Sequence, residues 1–228
     1  MQKPIVAIDG PAGAGKSTVA KGVADRLGYL YIDTGAMYRA IAWKVLEADI
    51  PMSDTKSIVS LAMRTQIKLT NIDSEQHVFA DEEDVSLQIR TPEATRAAAP
   101  VSAIPGVRKR LVELQRNLAS EGGVVMEGRD IGTVVFPDAE VKIFLTASAQ
   151  QRANRRVAQM KEMGLEADPV QIATEMRDRD LRDSSRADAP LMQATDAVLV
   201  DTDLMSVEQV IDAIVAIHDK TMGQAEKN

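Results

Sequence analysis

Apolar runs alternate with helical periods along this chain. That alternation predicts an α/β domain built on a parallel sheet. The first strand is Ile5-Val6-Ala7-Ile8-Asp9. A glycine-rich turn follows, then a helix from about Ser17 with Val19, Ala20, Val23, Ala24 and Leu27 on one face. Gly28 is placed to stop it. A second strand, Tyr29 to Asp33, passes through Thr34-Gly35 into a helix expected to bury Met37, Ile41, Val45 and Ala48. A helix starting near Gly106 carries Val107, Leu111, Leu114 and Leu118 on one stripe and is basic on its other side. The third strand, Val124-Val125-Met126, ends in Glu127-Gly128-Arg129-Asp130. The fourth is Val141 to Leu145, and the last is Ala197 to Val200. Ser148 with Gln151, and Ser206 with Gln209, have capping-box spacing. The first pair opens an Arg-rich helix. The second opens a closing helix expected to bury Val210, Ile211, Ile214 and Val215.

Two stretches break the rhythm. Ile67-Lys68-Leu69 and His77-Val78-Phe79 alternate in polarity around the polar turn Asn71 to Gln76. They predict a small antiparallel insert over about 64–95, with the acidic tip Asp81-Glu82-Glu83-Asp84. Pro92, Pro100 and Pro105 read as punctuation on the return to the core. Residues 166–186 read as a charged helix and then a loop, which makes 149–186 the second excursion. The remainder (1–63, 96–148 and 187–228) forms the core of one domain. In open parallel sheets ligands lie beyond the carboxyl ends of the strands. Here those ends are Asp9-Gly10, Asp33-Thr34 and Glu127 through Asp130, all polar.

Composition narrows the partners. The 228 residues are 45% hydrophobic, enough for one substantial core. No apolar run approaches the ~18 residues that span a bilayer. Met1-Gln2-Lys3-Pro4 leads straight into a strand, which leaves no room for a signal peptide. The chain has no cysteine, so disulfides and thiolate metal sites are ruled out and a reducing, cytoplasmic setting is expected. Net charge −7 argues against a broad basic face for duplex nucleic acid, and 3% aromatics against a base-stacking platform. Any anion site must be a local cluster of Arg and Lys.

The sharpest chemical signal is Gly10-Pro11-Ala12-Gly13-Ala14-Gly15-Lys16-Ser17, a complete phosphate-loop pattern between a strand and a helix. Glycines let backbone N–H groups turn inward around phosphate oxygens, and the following helix adds its positive end. Lys16 would reach the outer phosphates, and Ser17 offers a hydroxyl to Mg²⁺. Arginines are placed for a second phosphate group: Arg39, Arg108, Arg110, Arg129, then Arg152, Arg155, Arg156, and Arg179, Arg182, Arg186. Donor and acceptor phosphates together bring about six negative charges, which repel until cations neutralise them. Singly, each of these arginines reads equally well as a solvated face or an ion pair. Asp33 and Glu127 read two ways, as partners of Mg²⁺-bound water or of a nearby Arg. His77 and His218 are expected at the surface or at helix ends, since no partner pair suggests a base or a ligand, and the eleven Met as core filler.

Four stretches together resemble bacterial cytidylate kinases: residues 8–17, Asp33-Thr-Gly-Ala-Met-Tyr-Arg39, Glu127-Gly-Arg-Asp-Ile-Gly-Thr-Val-Val-Phe-Pro-Asp138, and Asp183-Ser-Ser-Arg186. The resemblance runs from about residue 4 to 217, and 127–138 is its most specific part. It implies a three-layer P-loop NTPase fold with a five-stranded parallel sheet, a nucleoside-monophosphate-binding insert and an Arg-rich lid. It implies phosphoryl transfer from ATP, with Mg²⁺, to CMP or dCMP, in a monomeric enzyme of pyrimidine nucleotide metabolism. By residue, Gly10, Pro11, Ala12, Gly13, Ala14, Gly15, Lys16, Ser17 and Thr18 would hold the ATP phosphates, with Ser17 on Mg²⁺. Thr34 and Asp183 would read the cytosine edge, with Arg108 near the base. Asp183 can accept from the exocyclic amine. Arg39 and Arg129 would bind the CMP phosphate, with Asp130 and Arg186 near the sugar. Arg152, Arg155, Arg156, Arg179 and Arg182 would form the lid. Lys16, Arg129, Asp130, Arg155 and Arg179 are the expected catalytic set. The chain departs from the family pattern at Thr34, where relatives often carry Ser, and at Ala99, where some carry a nucleotide-contacting serine. Ser102 is a candidate replacement.

Two rivals remain: a kinase for another nucleoside monophosphate, and a GTP-dependent switch. Thr34 and Asp183 speak against the first, and the absence of an Asn-Lys-x-Asp guanine-reading motif against the second.

Overall fold

The computed structural model describes residues 3–72, 75–162, 164 and 166–225. Met1 and Gln2, and the centre of the expected 71–76 turn at Asp73 and Ser74, lie outside the described residues, as do Met163 and Leu165 in the second excursion.

Strand β1 (Lys3–Asp9) is the first apolar run of the sequence, and Val6, Ala7 and Ile8 are fully buried. Burial on both faces is what a central parallel strand requires. It pairs in parallel with β6 (Gly122–Gly128) on one side, with Ile8 opposite Glu127, and with β7 (Val141–Thr146) on the other. β7 pairs in turn with β8 (Val198–Asp201), again in parallel. With β2 (Leu30–Asp33) the sheet has five strands, as the sequence predicts, and their order is β2-β6-β1-β7-β8. The first strand in the chain is thus the middle one. The loop leaving its carboxyl end sits at the topological switch point, where such sheets bind ligands.

Two compact units make up the chain, residues 1–31 with 121–228, and residues 32–120. In the first, α1 (Lys16–Leu27) and α8 (Val207–Ala225) place Val19, Val23, Val210, Ile211 and Ile214 in one core with Val6, Ile8, Ile143 and Leu145. Gly28, at φ 63°, closes α1 as expected. The Ser206 box forms in both directions: Gln209 N–H donates to Ser206 Oγ at 3.2 Å and Ser206 N–H to Gln209 Oε1 at 2.8 Å. At α6 (Ala149–Glu162), Ser148 Oγ accepts from Gln151 N–H. α7 (Pro169–Ser184) follows, capped by Asp168.

The second unit holds α2 (Thr34–Glu47), α3 (Thr55–Arg64), α4 (Pro92–Ser102), α5 (Pro105–Leu118) and an antiparallel sheet of β3 (Ile67–Ile72), β4 (Glu75–Ala80) and β5 (Glu83–Asp84). Met37, Ile41, Val45, Ile58, Val78, Val101, Val107 and Leu111 form its core.

Several expectations need correction. Ala48 is exposed and caps α2 instead of packing beneath it. Pro92 and Pro105 start helices at the position where proline's missing N–H costs nothing, and Pro100 lies within α4. His218 is buried in mid-helix, 3.0 Å from Tyr29 Oη and 2.9 Å from Asp219 Oδ1. His77, partly exposed, lies 2.7 Å from Asp84. Met37 and Met126 fill cores, but Met63 and Met192 are exposed.

Candidate active site

The first unit builds a phosphate cradle at the end of β1. Gly13 (φ 75°) and Gly15 (φ 93°) occupy the left-handed region that side chains resist, and this is what coils the loop. A Cβ on Gly13 would also stand 2.7 Å from Met176 Cε and 3.1 Å from Arg152 Cβ. The coil delivers Lys16 to the first position of α1, where the helix N-terminus carries partial positive charge. Lys16 is buried and its Nζ donates to the Pro11 carbonyl at 2.8 Å. Burial, with Arg129 and Arg179 nearby, pushes its ammonium down to about 7, against the opposing pull of Glu127 and Asp9.

Asp9, the last residue of β1, ties this loop to the segment after β6. Its carboxylate oxygens accept from Ile131 N–H at 2.8 Å and Gly132 N–H at 2.7 Å. Burial pushes the carboxyl up to about 6 despite these two bonds. Those N–H groups open one turn of wide helix, Ile131–Val135, directly after Arg129 and the buried Asp130. Glu127, buried at the end of β6, accepts from the Tyr31 hydroxyl at 2.9 Å.

Beside it stands a guanidinium–carboxylate cluster. Arg129 Nε donates to Asp183 Oδ2 at 2.9 Å, and Arg186 Nη2 to Asp183 Oδ1 at 2.8 Å. Burial alone would raise the Asp183 pKa, but Arg129 and Arg186 hold it below the ordinary carboxylate value. The resemblance implies Asp183 at the cytosine edge and Arg129 at the CMP phosphate; here the two side chains are bonded to each other. Arg179 adds charge to both Lys16 and Asp183.

The expected lid arginines separate into two groups. Arg152 is buried, donating from Nε to Ala147 O and from Nη1 to Ala12 O, with an ion pair to Asp180 at 2.7 Å. Arg155 binds Thr202 through Oγ1 at 2.9 Å and the carbonyl at 2.7 Å, and reaches Ala14 O at 3.4 Å. Arg156 bonds Gln159 along its own helix, and Arg182 Nε bonds the Asp178 carbonyl.

In the second unit Thr34 is buried at the first position of α2. Asp33 caps that helix through Ala36 N–H and pairs with Arg39 at 2.8 Å, which favours the arginine-partner reading of that carboxylate. Buried Arg108 donates to Ser102 O at 3.3 Å and lies 5.9 Å from the Tyr38 ring centre. The Ser102 hydroxyl donates to Ala99 O at 2.9 Å, a bond along its own helix. Sequence reasoning noted Asp9 only as a polar strand end, and it missed Asp180 and Thr202 entirely.

A central strand, a glycine coil, a buried lysine and a helix N-terminus in that order define a P-loop nucleotide-binding protein. The family described as cytidylate kinase matches residues 6–220, and the chain belongs to that family. It is 51% identical over 214 residues to a cytidylate kinase of Pelotomaculum thermopropionicum, covering 93% of this chain and 95% of that one. It is 49% identical over 220 residues to a bifunctional pantoate ligase/cytidylate kinase of a Synechococcus strain. That match covers 95% of this chain but 41% of the longer relative. A solved structure from Eubacterium ventriosum, an uncharacterized protein, superposes with a TM-score of 0.52 at 15% identity, over 95% of this chain and 99% of that one, and speaks to the fold alone. Among the described residues no helix is long and apolar enough to cross a membrane.

Proposed function

We propose that this chain transfers the γ-phosphoryl group of ATP to CMP or dCMP, giving ADP and CDP or dCDP, as a cytoplasmic monomer. Family membership supports the reaction class. The observation that carries the acceptor's identity is Asp183, held ionised between Arg129 and Arg186. A carboxylate so held only accepts hydrogen bonds. It suits the amine of cytosine and opposes the carbonyl of uracil. Thr34, Arg39 and Arg108 of the second unit, and Arg129, Asp130, Asp183 and Arg186 of the first, are the proposed acceptor ligands. Residues 64–95 are the proposed acceptor insert and 149–186 the lid.

The acceptor oxygen is already anionic, so the protein needs no covalent nucleophile. Its work is positioning and charge stabilisation. Residues 10–18 hold the donor phosphates through backbone N–H groups and the α1 dipole. Lys16, Arg129 and Arg179 face the charge that spreads over the transferred group, and Asp130 steadies the acceptor. Ser17 is exposed at the start of α1, where its hydroxyl would help to hold Mg²⁺. Bound there, the ion supplies charge neutralisation between the phosphates.

The test is ADP release with ATP, Mg²⁺ and each monophosphate in turn. CMP and dCMP should give the highest kcat/KM. Equal or faster turnover of UMP or AMP would overturn the acceptor assignment.

A further inference from the structure

Arg152 and Arg155 were expected over the transferred phosphate, yet both guanidinium groups end on carbonyl oxygens of the phosphate loop, Ala12 O at 3.1 Å and Ala14 O at 3.4 Å. Across a planar trans peptide the C=O and the next N–H point opposite ways. Fixing Ala12 O on α6 therefore aims the Gly13 N–H to the other side. Fixing Ala14 O does the same for Gly15. These two glycines have positive φ, so their peptides are free to turn over unless something holds them.

The holding is built in. Arg152 is only 7% exposed, and its remaining contacts are the Ala147 carbonyl and the Asp180 carboxylate of α7. Arg155 is gripped by both oxygens of Thr202, itself buried after β8. Thr202 is anchored in turn to the Thr146 carbonyl at the end of β7. Both arginines are thus held by groups of the chain itself.

We infer that Arg152 and Arg155 are positioning residues that act from behind the phosphate loop, locking alternate carbonyls outward so that the Gly13 and Gly15 N–H groups are preset for the phosphates common to ATP and ADP. This rests on the kinase reading only for the turnover half of its test. A group that orders the loop should strengthen ATP and ADP equally, whereas a group touching the terminal phosphate favours ATP.

The experiment titrates ADP and the non-hydrolysable analogue AMP-PNP calorimetrically into the wild type and Arg152→Lys, which keeps the charge but loses the fork. Both affinities should fall by about fivefold or more, by factors matching within about twofold, and kcat at saturating ATP and CMP should fall less than about threefold. Should Arg152→Lys fail to fold, Asp180→Asn, which leaves the arginine in place without its ion-pair partner, should show the same paired loss at smaller size. An AMP-PNP loss about tenfold beyond the ADP loss, a large kcat loss with ADP affinity intact, or no loss of either affinity overturns the inference. If the wild type releases no ADP with CMP while the paired loss appears, the kinase reading fails and the loop inference stands.

Discussion

Asp9 shows how one side chain can make the site depend on pH. An unfolded Asp titrates near 3.9, whereas burial holds the folded carboxyl at about 6. Between those values the folded chain binds more protons than the unfolded one. Stability contributed here is therefore present below about pH 4 and lost as pH rises to about 6, a difference on the order of 3 kcal/mol. Asp130 and Lys16 bear on the same group with opposite signs, and the Lys142 side chain packs on the neighbouring Gly132. Asp9→Asn should flatten the slope of urea stability between pH 4 and 6, and an unchanged slope would assign the dependence elsewhere. Lys16 runs the other way. Its ammonium is depressed by burial, and a bound triphosphate restores the charge. ATP binding at pH 8 should therefore take up a proton, visible as binding heats that vary with buffer ionisation enthalpy. Arg129→Ala should lower kcat/KM for CMP by about a hundredfold or more while ATP affinity stays near normal. Equal loss in an ATP titration would count against its acceptor role.

Elements repeat the lesson that local pattern reads well and long-range pairing does not. The five strands, the Ser206 box and the antiparallel insert were legible because alternation and capping are local signals. Helix α3, capped by Asp54 on Ser57 N–H, lies outside the predicted elements, and in α4 the prolines mask an alanine-rich helical stretch. Asp9 with Ile131, Arg129 with Asp183 and Arg155 with Thr202 join residues 122, 54 and 47 positions apart, so no window of sequence contains either bond partner's evidence. His218 was misplaced for the same reason, since Tyr29 lies 189 residues away. At this scale Ser206→Ala should remove the cap of α8 and cost about 1 kcal/mol, with a lower melting temperature and unchanged KM for either substrate.

For the whole molecule, the family match and the fold agree, and the proposed donor and acceptor residues can be followed in each unit by itself. ADP at about a hundred times its Kd should add about 2.7 kcal/mol to whatever folds around it. Hydrogen exchange should then slow most at residues 10–18 and along α6, with CMP instead slowing Thr34 to Arg39. Protection by ADP confined to residues 32–120 would contradict the donor assignment.

The Arg129–Asp183 bond has a further consequence. A phosphate that engages Arg129 must compete with a carboxylate already in place, so its capture is a swap of one anion for another. The net gain in affinity is smaller than a bare guanidinium would give. When the product leaves, Asp183 is there to pair with Arg129 again, and this favours rapid release over tight retention.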